Sequence, residues 1–231
     1  MKIFIRTIYV KIIRGLRKAL EPLGVLTYLE CQQGFTSRWL RSLFAIYDID
    51  DLIHLDTAWW TFDAIEYADG FLKERPNARV FEWGSGASTI WLSKRAREVI
   101  SVEHDQDWAN QVRNRLQDLA HVQLNVVTPT ASGNVTSAKF GFEGQFFDDY
   151  VAKIDQVEGM FDLIVIDGRA REACLKRAVA RLSKGGMILF DDYNRKRYQA
   201  AAQSSGLHIR KLNGLAACLP LPDSTAALTN P

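Results

Sequence analysis

The spacing of hydrophobic positions changes twice along the chain. Near the N-terminus Ile5, Ile8, Ile12, Leu16 and Ala19 recur at steps of three and four, which is one stripe of a helix. Most basic residues of that segment project from the opposite side, and Glu21-Pro22 ends the pattern. Further helices are predicted over 36–46 and 60–73, the latter with Phe62, Ile65, Ala68 and Leu72 on one face. From Ala78 onward short apolar runs alternate with helical segments. The runs predict strands at 79–83, 98–103, 122–127, 161–167 and 186–191, with helices at 87–95, 107–119, 146–156 and 172–182 between them. These runs are apolar throughout, as expected of strands buried on both faces of a parallel sheet. The implied fold is α/β, a Rossmann-like, doubly wound and mainly parallel sheet. Its end differs. Asn213-Gly214 separates the strand-like runs 207–212 and 215–221, a strong hairpin signal, so a C-terminal antiparallel hairpin closes the sheet.

The expected organisation is a basic amphipathic helix over 1–22, a helical cap or substrate lid over 23–59, and the main domain over 60–231. Composition agrees with one such domain: 231 residues, 47% hydrophobic and 24% charged, leave room for a sizeable core and exclude a disordered or collagen-like chain. Three cysteines without a CxxC pair read as free thiols, and four scattered histidines have no metal-type spacing. No apolar run approaches the roughly 20 residues of a membrane span, and charges interrupt the first segment too often for a signal peptide. The reading is therefore cytoplasmic.

Net charge changes this picture. The total of +2 hides a segregation: residues 1–20 hold six basic and no acidic side chains, so the remainder carries −4. An acidic body is not the profile of a nucleic-acid binder. For the basic helix three roles stand open: packing as a cover, binding a partner, or lying on the inner face of an anionic membrane as a peripheral contact. A homodimer is equally compatible with the sequence.

Candidate chemistry lies at the strand ends, because ligands of such sheets bind beyond the carboxyl edge. The first strand runs into Glu82-Trp83-Gly84-Ser85-Gly86-Ala87-Ser88-Thr89. Its glycines allow a tight turn, but G-x-G-x-x-G would need Gly where Thr89 stands, and a carboxylate at 82 would repel a pyrophosphate. Glu82 suits a cationic ligand group instead. Glu103, followed by His104, ends the second strand, where a carboxylate can accept both hydroxyls of a ribose. Asp167, Asp191 and Asp192 end the fourth and fifth strands and should converge. Three carboxylates cannot stay clustered and ionised without a compensating cation or raised pKa values. Arg169, Arg171, Arg195, Lys196 and Arg197 flank the same rim, as substrate contacts or as charges balancing the acids.

Taken together, Glu82-x-Gly84-x-Gly86, Glu103, Asp167 and the terminal hairpin resemble class I S-adenosylmethionine-dependent methyltransferases over about residues 60–221. The resemblance implies a seven-stranded sheet with an antiparallel seventh strand and S-adenosyl-L-methionine as methyl donor. It implies Glu82, Gly84, Ser85, Gly86, Ser88 and Thr89 beside the methionine portion, Glu103 and His104 by the ribose, and Trp60 and Thr61 closing over the methionine end. The adenine site is not placed by it; Asp148, Asp149 and Tyr150 stand in the corresponding stretch. Asp167, Asp191 and Asp192 take the position of the catalytic trio of catechol-type and macrocin-type O-methyltransferases. There they would hold Mg²⁺ or act as general base without it. The expected enzyme O-methylates a small molecule such as a sugar, a phenol or a lipid-type acceptor. A nucleotide-binding Rossmann-like protein, with or without nicotinamide chemistry, is the alternative.

Overall fold

The computed structural model describes residues 2–231, with side chains from Thr7 onward, so Ile5 of the predicted stripe lies outside the described side chains. Seven strands form one sheet: β1 (Arg79–Trp83), β2 (Glu98–Glu103), β3 (Val122–Val126), β4 (Phe161–Ile166), β5 (Leu182–Phe190), β6 (His208–Leu215) and β7 (Pro222–Thr229). Their order is β3-β2-β1-β4-β5-β7-β6. The first five are parallel, and β7 runs antiparallel between β5 and β6. The chain reverses its winding after β3, when it crosses from one edge to β4 beside β1. That puts the switch point, and the crevice that accompanies it, at the carboxyl ends of β1 and β4.

Among the described residues ten α-helices accompany the sheet. An N-terminal layer comprises α1 (Lys2–Leu20), α2 (Val25–Cys31), α3 (Phe35–Leu43), α4 (Ile49–His54) and α5 (Phe62–Lys73). Between and beside the strands follow α6 (Ala87–Ser93), α7 (Gln106–Arg113), α8 (Asp148–Ala152), α9 (Arg171–Val179) and α10 (Lys196–Gln203). Strand pleating divides the core in two. Val80, Leu163, Val165, Met187 and Leu189 face α4, α5 and α6, whereas Phe81, Trp83, Ile164, Ile166 and Phe190 face α8, α9 and α10.

Two expectations are corrected. The hairpin is present, but β6 runs straight through Asn213-Gly214 and the chain turns at 216–221. Asn213 is a cross-strand partner: its Oδ1 accepts from Ser224 Oγ at 2.6 Å, and the two residues pair in register. The second arm therefore lies beyond Leu221, in Ser224-Thr225-Ala226-Ala227-Leu228, whose buried residues supply the sheet's sixth position. The second correction concerns α1. It packs through Tyr9, Val10 and Ile13, not through the Ile8–Ile12–Leu16 stripe, which faces outward. The choice follows from Arg17, one turn beyond Ile13. Its guanidinium reaches Asp48 Oδ2 at 2.7 Å and Asp51 Oδ2 at 3.1 Å, contacts available only with that face inward.

Candidate functional site

A cleft of about 580 Å³ opens at the carboxyl ends of β1, β2, β4 and β5, roofed on one side by Tyr47, Trp59 and Trp60 of the N-terminal layer. That is within the range of small-ligand sites, roughly 300–1,000 Å³. Of the residues read from the sequence, Trp60, Thr61, Gly84, Ser85, Gly86, Ser88, Glu103, His104, Asp167, Asp191 and Asp192 line it; Glu82 and Thr89 stand behind its wall.

The wall is built on a polar knot. Glu82, fully buried on β1, accepts from Ser88 Oγ at 2.5 Å, Thr89 Oγ1 at 2.6 Å and Ser101 Oγ at 2.7 Å. Thr89 Oγ1 also accepts the Gly86 N–H at 3.0 Å, so the residue standing where a dinucleotide loop would have glycine ties the turn to the strand. Among the described residues no cation pairs with Glu82, and burial pushes its carboxyl up to about 7. Its task in this geometry is to hold the loop's shape from beneath. Gly84, at φ +97°, makes the turn itself possible: a Cβ there would stand 2.8 Å from the Gly168 nitrogen. The β1 and β4 ends thus approach backbone to backbone, and that approach requires glycine.

Glu103 closes β2 and is buried at the cleft edge. Its Oε2 accepts from Ser85 N and Ser85 Oγ at 2.9 and 3.0 Å, and its Oε1 from the N–H groups of His104 and Asp105 at 2.7 and 3.0 Å. These donors and the neighbouring imidazole hold its carboxyl below the usual range against the opposing effect of burial. His104 Nδ1 lies 2.6 Å from Oε1 but off the hydrogen-bonding direction, and packs within the aromatic group of Phe142, Phe147 and Tyr150. Across the cleft, Trp60 Nε1 donates to Asp167 Oδ2 at 3.2 Å, while Thr61 caps α5 by accepting from Ala64 N.

Asp167, Asp191 and Asp192 do converge, around Arg171. Its Nη2 lies 2.8 Å from Asp167 Oδ1 and 3.3 Å from Asp192 Oδ2, and its Nη1 3.3 Å from Asp191 Oδ2. Asp191 Oδ1 accepts from Thr225 Oγ1 at 2.8 Å. Burial pushes the Asp167 and Asp191 carboxyls up, Asp191 the more strongly because Asp167 repels it, and Arg171 opposes the rise in both.

Residues 81–193 match a family model described as a methyltransferase domain. The fold is shared with an rRNA methylase from Streptococcus thermophilus (13% identity over 73% of this chain and 97% of that one, TM-score 0.51). It is shared as well with a proposed methyltransferase from Streptococcus mutans solved with SAH (13%, 71% and 97%, TM-score 0.50). A methyltransferase-like protein from Silicibacter pomeroyi is 22% identical over 71% of this chain and 85% of that one, at a TM-score of 0.47. No curated protein matches the chain.

At the carboxyl ends of β4 and β5 the expected metal site is corrected. The three carboxylates do not fit Mg²⁺, because the guanidinium of Arg171, buried among them, already supplies the compensating charge. Among the described residues no group of three or more His, Cys, Asp or Glu is placed to hold a metal ion. The cleft also uses a residue that the sequence did not mark. Trp108 lines the cleft and donates from Nε1 to Ser85 O at 2.7 Å. Its signal was faint, a single aromatic in the first turn of a helix. Arg169, one of the rim arginines read from the sequence, lines the cleft with its guanidinium over the Phe142 ring. Asp148 holds the preceding loop instead, accepting from Asn134 N and Val135 N at 3.0 and 3.1 Å, and Tyr150 is buried behind the cleft.

Proposed function

We propose that this protein transfers a methyl group from S-adenosyl-L-methionine to an oxygen of a small-molecule acceptor. One arrangement carries the reading: Glu103 and Asp167, both carboxyls with tuned acidity, flank the Gly84–Gly86 turn inside one cleft. The donor's sulfonium supplies the activated methyl group. Glu103, kept ionised by its donors, accepts hydroxyl hydrogen bonds of a ribose, with Ser85 Oγ the donor that such hydroxyls would displace from Oε2. Trp60, Trp108 and Phe142 shield the cleft from water. Methyl transfer depends on in-line alignment, so positioning carries most of the catalysis. An oxygen acceptor must also lose its proton. Asp167, oriented by Trp60 and Arg171 at the cleft wall, is the base that receives it, and Asp191 and Asp192 set its charge environment.

The cleft lining favours a small acceptor over nucleic acid. Acidic side chains outnumber basic ones there, seven to four, which opposes a phosphodiester backbone. Calorimetry with S-adenosylhomocysteine against NAD tests the donor site, and methyl release over a panel of sugars, phenols and lipids tests the acceptor. Asp167→Asn is expected to abolish turnover while S-adenosylhomocysteine affinity stays within about threefold. A collapse of cofactor affinity would assign Asp167 to the cofactor and remove it as base.

A further inference from the structure

The outward face of α1 is unlike the rest of the surface. Ile8, Ile12 and Leu16 are 41%, 55% and 47% exposed, and at steps of four they form one ridge, about 12 Å long at 1.5 Å per residue. The ridge does not arise from a loosely attached helix. Tyr9 Oη donates to Cys218 O at 3.5 Å, Arg14 Nη2 to Tyr47 O at 3.2 Å, Arg17 pairs with Asp48 and Asp51, and Ile13 is buried beneath. The helix is pinned through its polar and mixed face with its most aliphatic face held in solvent. Leu23 and Tyr28, in the next turn and α2, are exposed as well, at 73% and 64%. Monomeric soluble proteins seldom present such a contiguous apolar strip without a use for it.

Charge selects the occupant. Lys11 and Lys18 stand exposed one step round the helix from the ridge, and residues 1–20 contain no acid, whereas the rest of the chain carries −4. We propose that α1 lays this protein on an anionic lipid surface, the ridge entering the headgroup boundary and the lysines meeting lipid phosphates. Apolar contact and basic flank are the two signals that stable interfacial anchoring needs. A second copy docked on the ridge would instead bring two acid-free basic helices together. Among the described residues no helix is long and apolar enough to cross a membrane, so the contact lies in the interface. The inference uses none of the cleft residues and stands apart from the methyl-transfer reading.

The test is flotation of the full chain with phosphatidylcholine vesicles, with and without phosphatidylserine. Expected is co-flotation with the serine-lipid vesicles alone, weakening as salt is raised. The Ile12→Gln/Leu16→Gln and Lys11→Gln/Lys18→Gln variants should each lose about tenfold or more in vesicle partitioning. Since these side chains point outward, their circular dichroism and thermal melts should match the parent. Failure of the parent chain to float with serine-lipid vesicles overturns the proposal, as does unchanged flotation of the Ile12/Leu16 variant. So does light scattering that shows a parent dimer converted to monomer by that variant, since the ridge then belongs to a second copy.

Discussion

Glu82→Gln isolates the cost of a buried carboxylate with no cation beside it. Glu82 is fully buried among three hydroxyl donors, and its carboxyl rises from 4.5 to about 7. Because the folded protein binds this proton more tightly than the unfolded chain, the associated stability is greatest at low pH. It is lost as pH rises from 4.5 through 7. A shift of this size is worth roughly 3 kcal/mol in total, most of which falls between pH 5 and pH 8. Glutamine keeps the shape and the hydrogen-bonding capacity, with Ser88 Oγ turning to accept from its amide, but has nothing to titrate. The stability of the variant relative to the parent should therefore improve by roughly 2–3 kcal/mol between pH 5 and pH 8. Urea unfolding followed by tryptophan fluorescence at both pH values gives this double difference, in which every other titrating group cancels. A difference between the two proteins that is the same at both pH values, within about 0.5 kcal/mol, would refute the reasoning.

Two further substitutions probe the other carboxyls. Arg171→Met leaves Asp167, Asp191 and Asp192 without their cation, and should cost about 3–5 kcal/mol at pH 8 in urea unfolding. Part of that loss should return at pH 5, where the freed carboxyls take up protons; a parent-like unfolding curve at pH 8 would show that Arg171 is not the compensating charge. Glu103→Ala should weaken S-adenosylhomocysteine binding about tenfold or more by calorimetry, and an unchanged affinity would remove Glu103 from the cofactor site.

The sheet was legible because its physics is local. A run such as Phe161-Asp162-Leu163-Ile164-Val165-Ile166 is apolar on both faces only if both are covered, and both are. Short helices carried less signal: α2, α4 and α10 were not anticipated, and α7 ends at Arg113, short of the predicted 119. The hairpin's existence was legible and its turn was not. Asn-Gly favours a tight turn, but Asn213 pairs with Ser224 and the buried Thr225–Leu228 run needs a partner strand that extends past it. The α1 stripe misled for a related reason. Periodicity identifies an apolar face without saying what that face meets, and two acids on α4 and its cap drew Arg17, with Ile13 and Tyr9, inward.

Within the site, one residue of register separates an acid that lines the cleft from one buried behind it. Glu82 and Glu103 look alike in sequence, each an acid at a strand's end. Glu103 is the last residue of β2 and reaches the cleft edge, whereas Glu82 is the last but one of β1. Pleating sends it to the same side as Val80, toward Ser88 and Thr89 of α6 and its register partner Ser101. Asp167 lies one residue past β4, beyond the pleat, and faces the cleft. The same local geometry decides the cation. Sequence clustering called for a compensating cation or raised pKa values among the three acids, and offered Arg171 only as one of five basic residues at the rim. Ala170, in the left-handed region at φ +49°, turns the chain into α9 so that Arg171 folds back under the turn. There it donates from Nε to Gly168 O at 3.1 Å and from Nη2 to Asp167 O at 2.8 Å. Those backbone bonds fix the guanidinium before any carboxylate is counted, so the acids gather around an arginine that the turn has already placed.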